Sequence, residues 1–190
     1  MATIERDVKT QQNTARFKVP EQLRTPTDLT GEAVETITQA LNQIVADTLA
    51  LYVKTKNYHW HLASSHFRDY HLLFDEQAEQ LLNSVDILAE RVRRIGGTTI
   101  RSISHIQELQ TIADDNDAFV SPAEMLQRLL TGNLALARQQ REAVEASDEL
   151  RDHATSSLLE VLLDETEKRI WFLYEARMGA SDSQDVEQTR

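Results

Sequence analysis

The chain contains no cysteine, so disulfides and thiolate-ligated metal sites are excluded. Five glycines and three prolines in 190 residues allow few turns, which points to few and long elements. No apolar run approaches the roughly 18 residues of a membrane span. The N-terminal "MATIERDVKTQQNTARFKVPEQ" lacks the apolar core of a secretory signal, so the simple reading is a cytoplasmic protein. Repeats at a solenoid period are absent. So is Glu-x-x-His, the motif with which some four-helix bundles build a di-metal centre in their interior. Positive charge is also in short supply. A net charge of −11 argues against a body that binds nucleic acid by bulk electrostatics and suits one that attracts cations.

What is present is helical periodicity. Residues 1–29 lack it and hold two of the three prolines, so they read as a flexible tail, mildly basic through Arg6, Lys9, Arg16 and Lys18. Four long patterns follow. The first spans about 31–61, with Ile37, Leu41, Ile44, Thr48 and Leu51 at steps of three and four. The second spans about 65–95 and stops at "GG", Gly96 and Gly97. The third opens with "SPAE", where Ser121 is the expected cap, Pro122 the first helical residue and Glu124 the closing member of a capping box. The fourth spans about 149–178, and residues 179–190 read as a second flexible tail. A short helical piece, "SISHIQELQ", lies in the long middle connection. Two tight hairpins joined by a long crossover define an all-α, ferritin-like four-helix bundle over residues 30–178, with a short extra helix between the second and third helices.

The chemistry is concentrated in residues 56–91. His71 and Asp75 are four apart, as are Asp86 and Glu90, so each pair shares a helix face. Asp75 and Asp86 are about 16 Å apart along the axis at 1.5 Å per residue, too far for one ion. Either each pair binds its own ion, or two copies pack antiparallel so that one chain's His71 and Asp75 meet the other's Asp86 and Glu90. Isologous symmetry would then give two equal sites per dimer. His59 can join the His71 side. One imidazole-rich and one carboxylate half, with positions left for water, suit Fe(II) better than structural zinc. The plainer readings are a polar dimer seam or solvated acid faces.

The residues also carry a resemblance. "K-x-x-H-W" at Lys56, His59 and Trp60 is followed by Phe67, then "H-x-x-x-D" at His71 and Asp75. "D-x-x-A-E-R" at Asp86, Ala89, Glu90 and Arg91 then closes on "GG". The pattern resembles the Dps family (DNA-binding proteins from starved cells, the miniferritins) over about residues 30–178. The resemblance implies a hollow dodecamer that oxidises Fe(II), preferably with hydrogen peroxide and more slowly with O2, and stores the ferric mineral inside. It implies His59, His71 and Asp75 from one subunit and Asp86 and Glu90 from its two-fold partner as ligands. A second iron would be weakly held, and zinc would compete. Trp60 and Trp171 look like the family's aromatic electron donors, with core packing as the plainer role for Trp171. One departure is Ser64, where the family usually has glycine; a serine there can cap the second helix. His61 and His66 are additional imidazoles nearby.

Two further expectations concern partners. Glu145, Asp148, Glu149 and Asp152 read as acids opening the fourth helix, where they would line an iron-entry pore or simply complement the helix dipole. Twelve basic tails would bind DNA weakly and in a salt-dependent way above an acidic shell. The alternative function is therefore a nucleoid-associated, DNA-protecting structural protein acting through Arg6, Lys9, Arg16 and Lys18. A bundle that uses zinc only for assembly is the weakest reading.

Overall fold

The computed structural model describes residues 19–187, with side chains through 178. The basic positions Arg6, Lys9, Arg16 and Lys18 lie outside the described residues. Five α-helices follow one 3-10 turn at Glu21–Leu23: α1 Gly31–His61, α2 Phe67–Arg94, α3 Ile103–Leu109, α4 Pro122–Glu149 and α5 His153–Glu187. No strand occurs among the described residues, and no described helix is long and apolar enough to cross a membrane. The helices α1 and α2 pack as one hairpin and α4 and α5 as another. The long connection between them carries α3 against α1.

Local chemistry sets most boundaries. The Thr30 hydroxyl accepts from the Ala33 amide and caps α1. Ser121 caps α4 in the same way, with Pro122 at the first helical position. The expected capping box closes only halfway, because the Glu124 carboxylate turns to Arg128 instead. The second helix starts later than its pattern suggests. His66 precedes it without a side-chain cap, and the Ser64 hydroxyl accepts from the His66 amide in a tight turn rather than capping the helix. At its far end the Gly97 amide donates to Val92 and the Gly96 amide to Arg93, a Schellman stop with Gly96 at φ 94°. A Cβ on Gly97 would collide with the Thr38 hydroxyl.

The α4–α5 corner corrects an expectation. Glu145, Asp148 and Glu149 lie in the last turns of α4 and do not open the following helix. The turn passes through Arg151 at φ 63°, and α5 begins at His153. Asp152 is the cap: its carboxylate accepts from the Thr155 amide and hydroxyl, and Arg91 of α2 pairs with it. The last helix also runs on past Gly179, where its pattern ends, to Glu187.

The core is a continuous apolar seam through the bundle, including Leu41, Leu51, Phe74, Leu81, Leu88 and Leu126. Each such side chain contributes about 1.5–3 kcal/mol by leaving water. Two buried carboxylates tie the crossover to this seam. Asp47 on α1 accepts from the Thr111 amide at 2.5 Å, the Ile112 amide at 2.8 Å, the Thr111 hydroxyl at 2.7 Å, Gln139 Nε2 at 2.7 Å and Gln43 Nε2 at 3.1 Å. Asp115 accepts from the Tyr58 hydroxyl, from Arg128 Nη1 at 2.7 Å and from the Asp117 amide at 3.0 Å. Burial opposes ionisation of Asp115, but these donors together hold its carboxyl down to about 2. Burial, aided by the same carboxylate, pushes the Tyr58 phenol well above its ordinary range.

Asp47→Ala strands the buried Ile112 amide and removes the partner of the Thr111 amide, Thr111 hydroxyl and Gln139, and is expected to cost about 3–5 kcal/mol in urea unfolding. A loss below about 1 kcal/mol would mean the crossover is held by other contacts. Asp115 has a depressed folded pKa, so its stabilisation is present above the unfolded value near 4 and is lost as pH falls towards about 2. Asp115→Asn is expected to flatten the acid limb of a stability-against-pH curve in that window.

Candidate metal centre

The α1–α2 hairpin brings His59, one turn from the end of α1, onto His71 in the first turns of α2. Their rings stack with centroids 3.8 Å apart and planes 20° apart. His59 Nδ1 lies 2.9 Å from the His71 carbonyl oxygen, and His71 Nδ1 lies 3.1 Å from the His59 carbonyl oxygen. A carbonyl only accepts, so each Nδ1 carries the proton and donates. Each Nε2 is thereby left with an in-plane lone pair, the form in which a neutral imidazole ligates a metal. Phe67 stacks on His71 with centroids 4.9 Å apart and completes a column of three rings.

Asp75 is one turn beyond His71. Its Oδ1 accepts from Lys56 Nζ at 2.6 Å and lies 3.8 Å from His59 Nε2. The hydrogen bond from Lys56 is the main reason its carboxyl is held below the usual range; the Lys56 charge and the two imidazoles add to it. Lys56 belongs to the motif, but its pairing with Asp75 has no signal beyond the three-residue step to His59. The same is true of the ring column closed by Phe67.

The helix brings these groups together and leaves Asp86 and Glu90 apart from them. Both are exposed, and Glu90 pairs with Arg94. Asp86 stands about 16 Å and Glu90 about 22 Å beyond Asp75 along α2 at about 1.5 Å per residue. Among the described residues no three His, Asp or Glu side chains form a group able to hold a metal ion. The bundle interior supplies no alternative. Its buried acids, Asp47 and Asp152, are already committed, and Arg169 places a guanidinium there instead. That group donates to Asn133 Oδ1 and to the Thr166 hydroxyl, and burial lowers its pKa to about 10.

The face of α2 that carries Asp75 and Asp86 also exposes Leu72 and Leu82 at helical spacing. Trp60, beside His59, is 65% exposed, and Trp171 is 60% exposed, so Trp171 is not a core residue of the single chain. His61 and His66 are exposed and do not join the ring column. Glu145, Asp148 and Glu149 are exposed, with Asp148 accepting from the Ser156 hydroxyl. Asp152, 4% exposed beneath Arg91, is the one of the four acids withdrawn from the surface.

Comparison with known proteins places this arrangement in a family. A model of the ferritin-like domain matches residues 38–177. The DNA protection during starvation protein of Brevibacillus brevis is 32% identical over 133 residues, which are 70% of this chain and 89% of that protein. The chain belongs to the Dps family. The solved structure of DpsC from Streptomyces coelicolor is similar with a TM-score of 0.78 at 31% identity, covering 80% of this chain and 90% of that one. A Dps protein from Vibrio cholerae O1, described as a member of a broad superfamily of ferritin-like diiron-carboxylate proteins, is similar with a TM-score of 0.75 at 28% identity. That likeness covers 80% of this chain and 96% of that one.

Binding of a paramagnetic ion beside His59, His71 and Asp75 should be visible from Trp60. Anaerobic titration with Co(II) is expected to quench tryptophan emission to a plateau. Trp60→Phe should remove the quench and Trp171→Phe should retain it; quenching that survives Trp60→Phe would place the ion elsewhere.

Proposed function

We propose that this Dps protein oxidises Fe(II) at sites shared between two-fold related chains and keeps the ferric product as a mineral inside a dodecameric shell. The observation that carries the reading is the division of ligands along α2. His59 and His71 present two prepared Nε2 lone pairs beside Asp75, and Asp86 and Glu90 lie on the same face, about 16 and 22 Å beyond Asp75. Antiparallel pairing of two such faces matches each half with its complement, and the exposed Leu72 and Leu82 on the same face give the pairing an apolar component. The diiron-carboxylate description of the Vibrio cholerae relative supports iron as the substrate.

Fe(II) bound by His59, His71 and Asp75 with the partner's acid pair is a reductant. Two Fe(II) ions give two electrons to one hydrogen peroxide, which takes up two protons and leaves as two waters. Pairing the electrons in this way avoids hydroxyl radical. O2 is the slower oxidant, and zinc, with the same taste for imidazole and carboxylate, competes for the site. Carboxylates hold the Fe(III) product less rigidly than thiolates would, and its release to the interior seeds the mineral. Trp60, exposed next to His59, supplies single electrons when only one iron is bound. Glu145, Asp148 and Glu149 are the acids available to draw Fe(II) towards a pore, while Asp152 acts through Arg91 as a brace. The protein is read as cytoplasmic.

The Brevibacillus brevis relative, a DNA protection during starvation protein, favours a second role, DNA protection. Here it would rest on the N-terminal Arg6, Lys9, Arg16 and Lys18, acting weakly against a chain of net charge −11.

Fe(II) loaded anaerobically and then given a peroxide pulse tests the main reading. His59→Ala and Asp86→Ala are each expected to fall to the buffer rate of ferric absorbance while native mass is kept; wild-type rates in either would reject the ligand assignment. Removal of residues 1–18 is expected to leave oxidation unchanged and to abolish low-salt DNA retention. Loss of oxidation on that truncation would contradict the division of roles.

A further inference from the structure

At the end of the bundle opposite His59, the segment that leads into α1 crosses over the Gly96–Gly97 stop of α2. A cavity of about 400 Å3 lies beneath it. Its apolar wall includes Leu29, Val34 and Ile95, and its floor is the face of α1 that carries Thr38 and Asn42. These two side chains are 6% and 9% exposed. Asn42 Nδ2 donates to the Thr98 carbonyl at 2.8 Å, but Asn42 Oδ1 and the Thr38 hydroxyl have no hydrogen-bond partner. Orphaned buried polar atoms of this kind cost free energy unless something satisfies them. The lining also includes Arg24 and Arg101, both exposed and neither in an ion pair among the described residues, against a single acid, Glu35. On a chain of net charge −11 this rim is locally basic.

The volume would take about a dozen waters, more than two orphaned atoms require. Apolar walls, a few convergent polar groups and this size are the features of a small-molecule pocket. We propose that the cavity binds a small aromatic or aliphatic hydroxy acid. The carboxylate meets Arg24 and Arg101 at the rim, the apolar body packs against Leu29, Val34 and Ile95, and at the floor the hydroxyl donates to Asn42 Oδ1 and accepts from the Thr38 hydroxyl. Asn42 is about 25 Å along α1 from His59, so the pocket is separate from the proposed iron ligands of α1. A ligand seated there would fasten residues 19–29, from which the N-terminal tail departs, to the body of the bundle.

The test is calorimetric titration of the full-length assembled protein with 4-hydroxybenzoate, an acid of a size expected to bind at about 0.1–1 mM. One saturable site per chain is expected. Benzoate, lacking the hydroxyl, should bind roughly two- to tenfold more weakly. 4-Hydroxybenzyl alcohol, lacking the carboxylate, should bind more than about tenfold more weakly. Arg101→Glu, at an exposed position, should weaken 4-hydroxybenzoate by at least about tenfold with native mass unchanged. Hydrogen exchange should slow in residues 19–29 and 95–105 on binding. Absence of saturable binding would leave the cavity to water and overturn the proposal. Equal binding by Arg101→Glu, or protection confined to other segments, would place the acid elsewhere and overturn it too.

Discussion

Two imidazoles, each donating to the backbone carbonyl beneath the other, join the last turn of α1 to the first turns of α2. The exchange settles the tautomer of both rings, stacks them and aims both remaining nitrogens away from the backbone. Asp75 can then be added at the cost of one helical turn. The rest of the molecule keeps this hairpin in place. Phe67 closes the ring column, Lys56 neutralises Asp75, and the apolar seam of the bundle holds both helices along their length.

The second constraint is the rise of a helix. At about 1.5 Å per residue, Asp86 and Glu90 cannot reach the ring column of their own chain. In the proposed reading the single bundle is complete as a fold and supplies only part of a metal centre. Its interior carries a guanidinium where other bundles of this architecture hold carboxylates, and among the described residues no group of three possible ligands forms there. Carboxylates that would be costly if buried unpaired stand on the surface beside exposed leucines, where the proposed two-fold pairing would cover them.

Much of this was legible in the residues. Apolar steps of three and four marked four long helices, "SPAE" and "GG" marked a start and a stop, and the spacing from His59 to Glu90 carried the family. Other features depend on contacts that spacing does not encode. The acids of 145–152 look like a helix N-terminus because Asp152 is a good cap, but the three before it belong to the preceding helix, which a left-handed Arg151 separates from the next. Ser64 has the right chemistry to cap a helix and uses it on a turn two residues before the cap position, His66. Trp171 lies in an apolar stretch, yet faces outward. The brace from Arg91 to Asp152 joins residues far apart in sequence, and nothing in either motif announces it.

The most direct measurement is complementation between two inactive chains. One chain carries His59→Ala, His71→Ala and Asp75→Ala; the other carries Asp86→Ala and Glu90→Ala. Each alone should oxidise Fe(II) at the buffer rate. Co-assembled in equal amounts, half of the two-fold pairs are mixed and each mixed pair holds one intact site of two, so about a quarter of wild-type peroxide-dependent oxidation should return. Return of that activity would establish that the ligands of one centre come from two chains. No return, with mixed assembly verified by native mass, would show that each chain works alone or not at all, and the shared centre would be wrong.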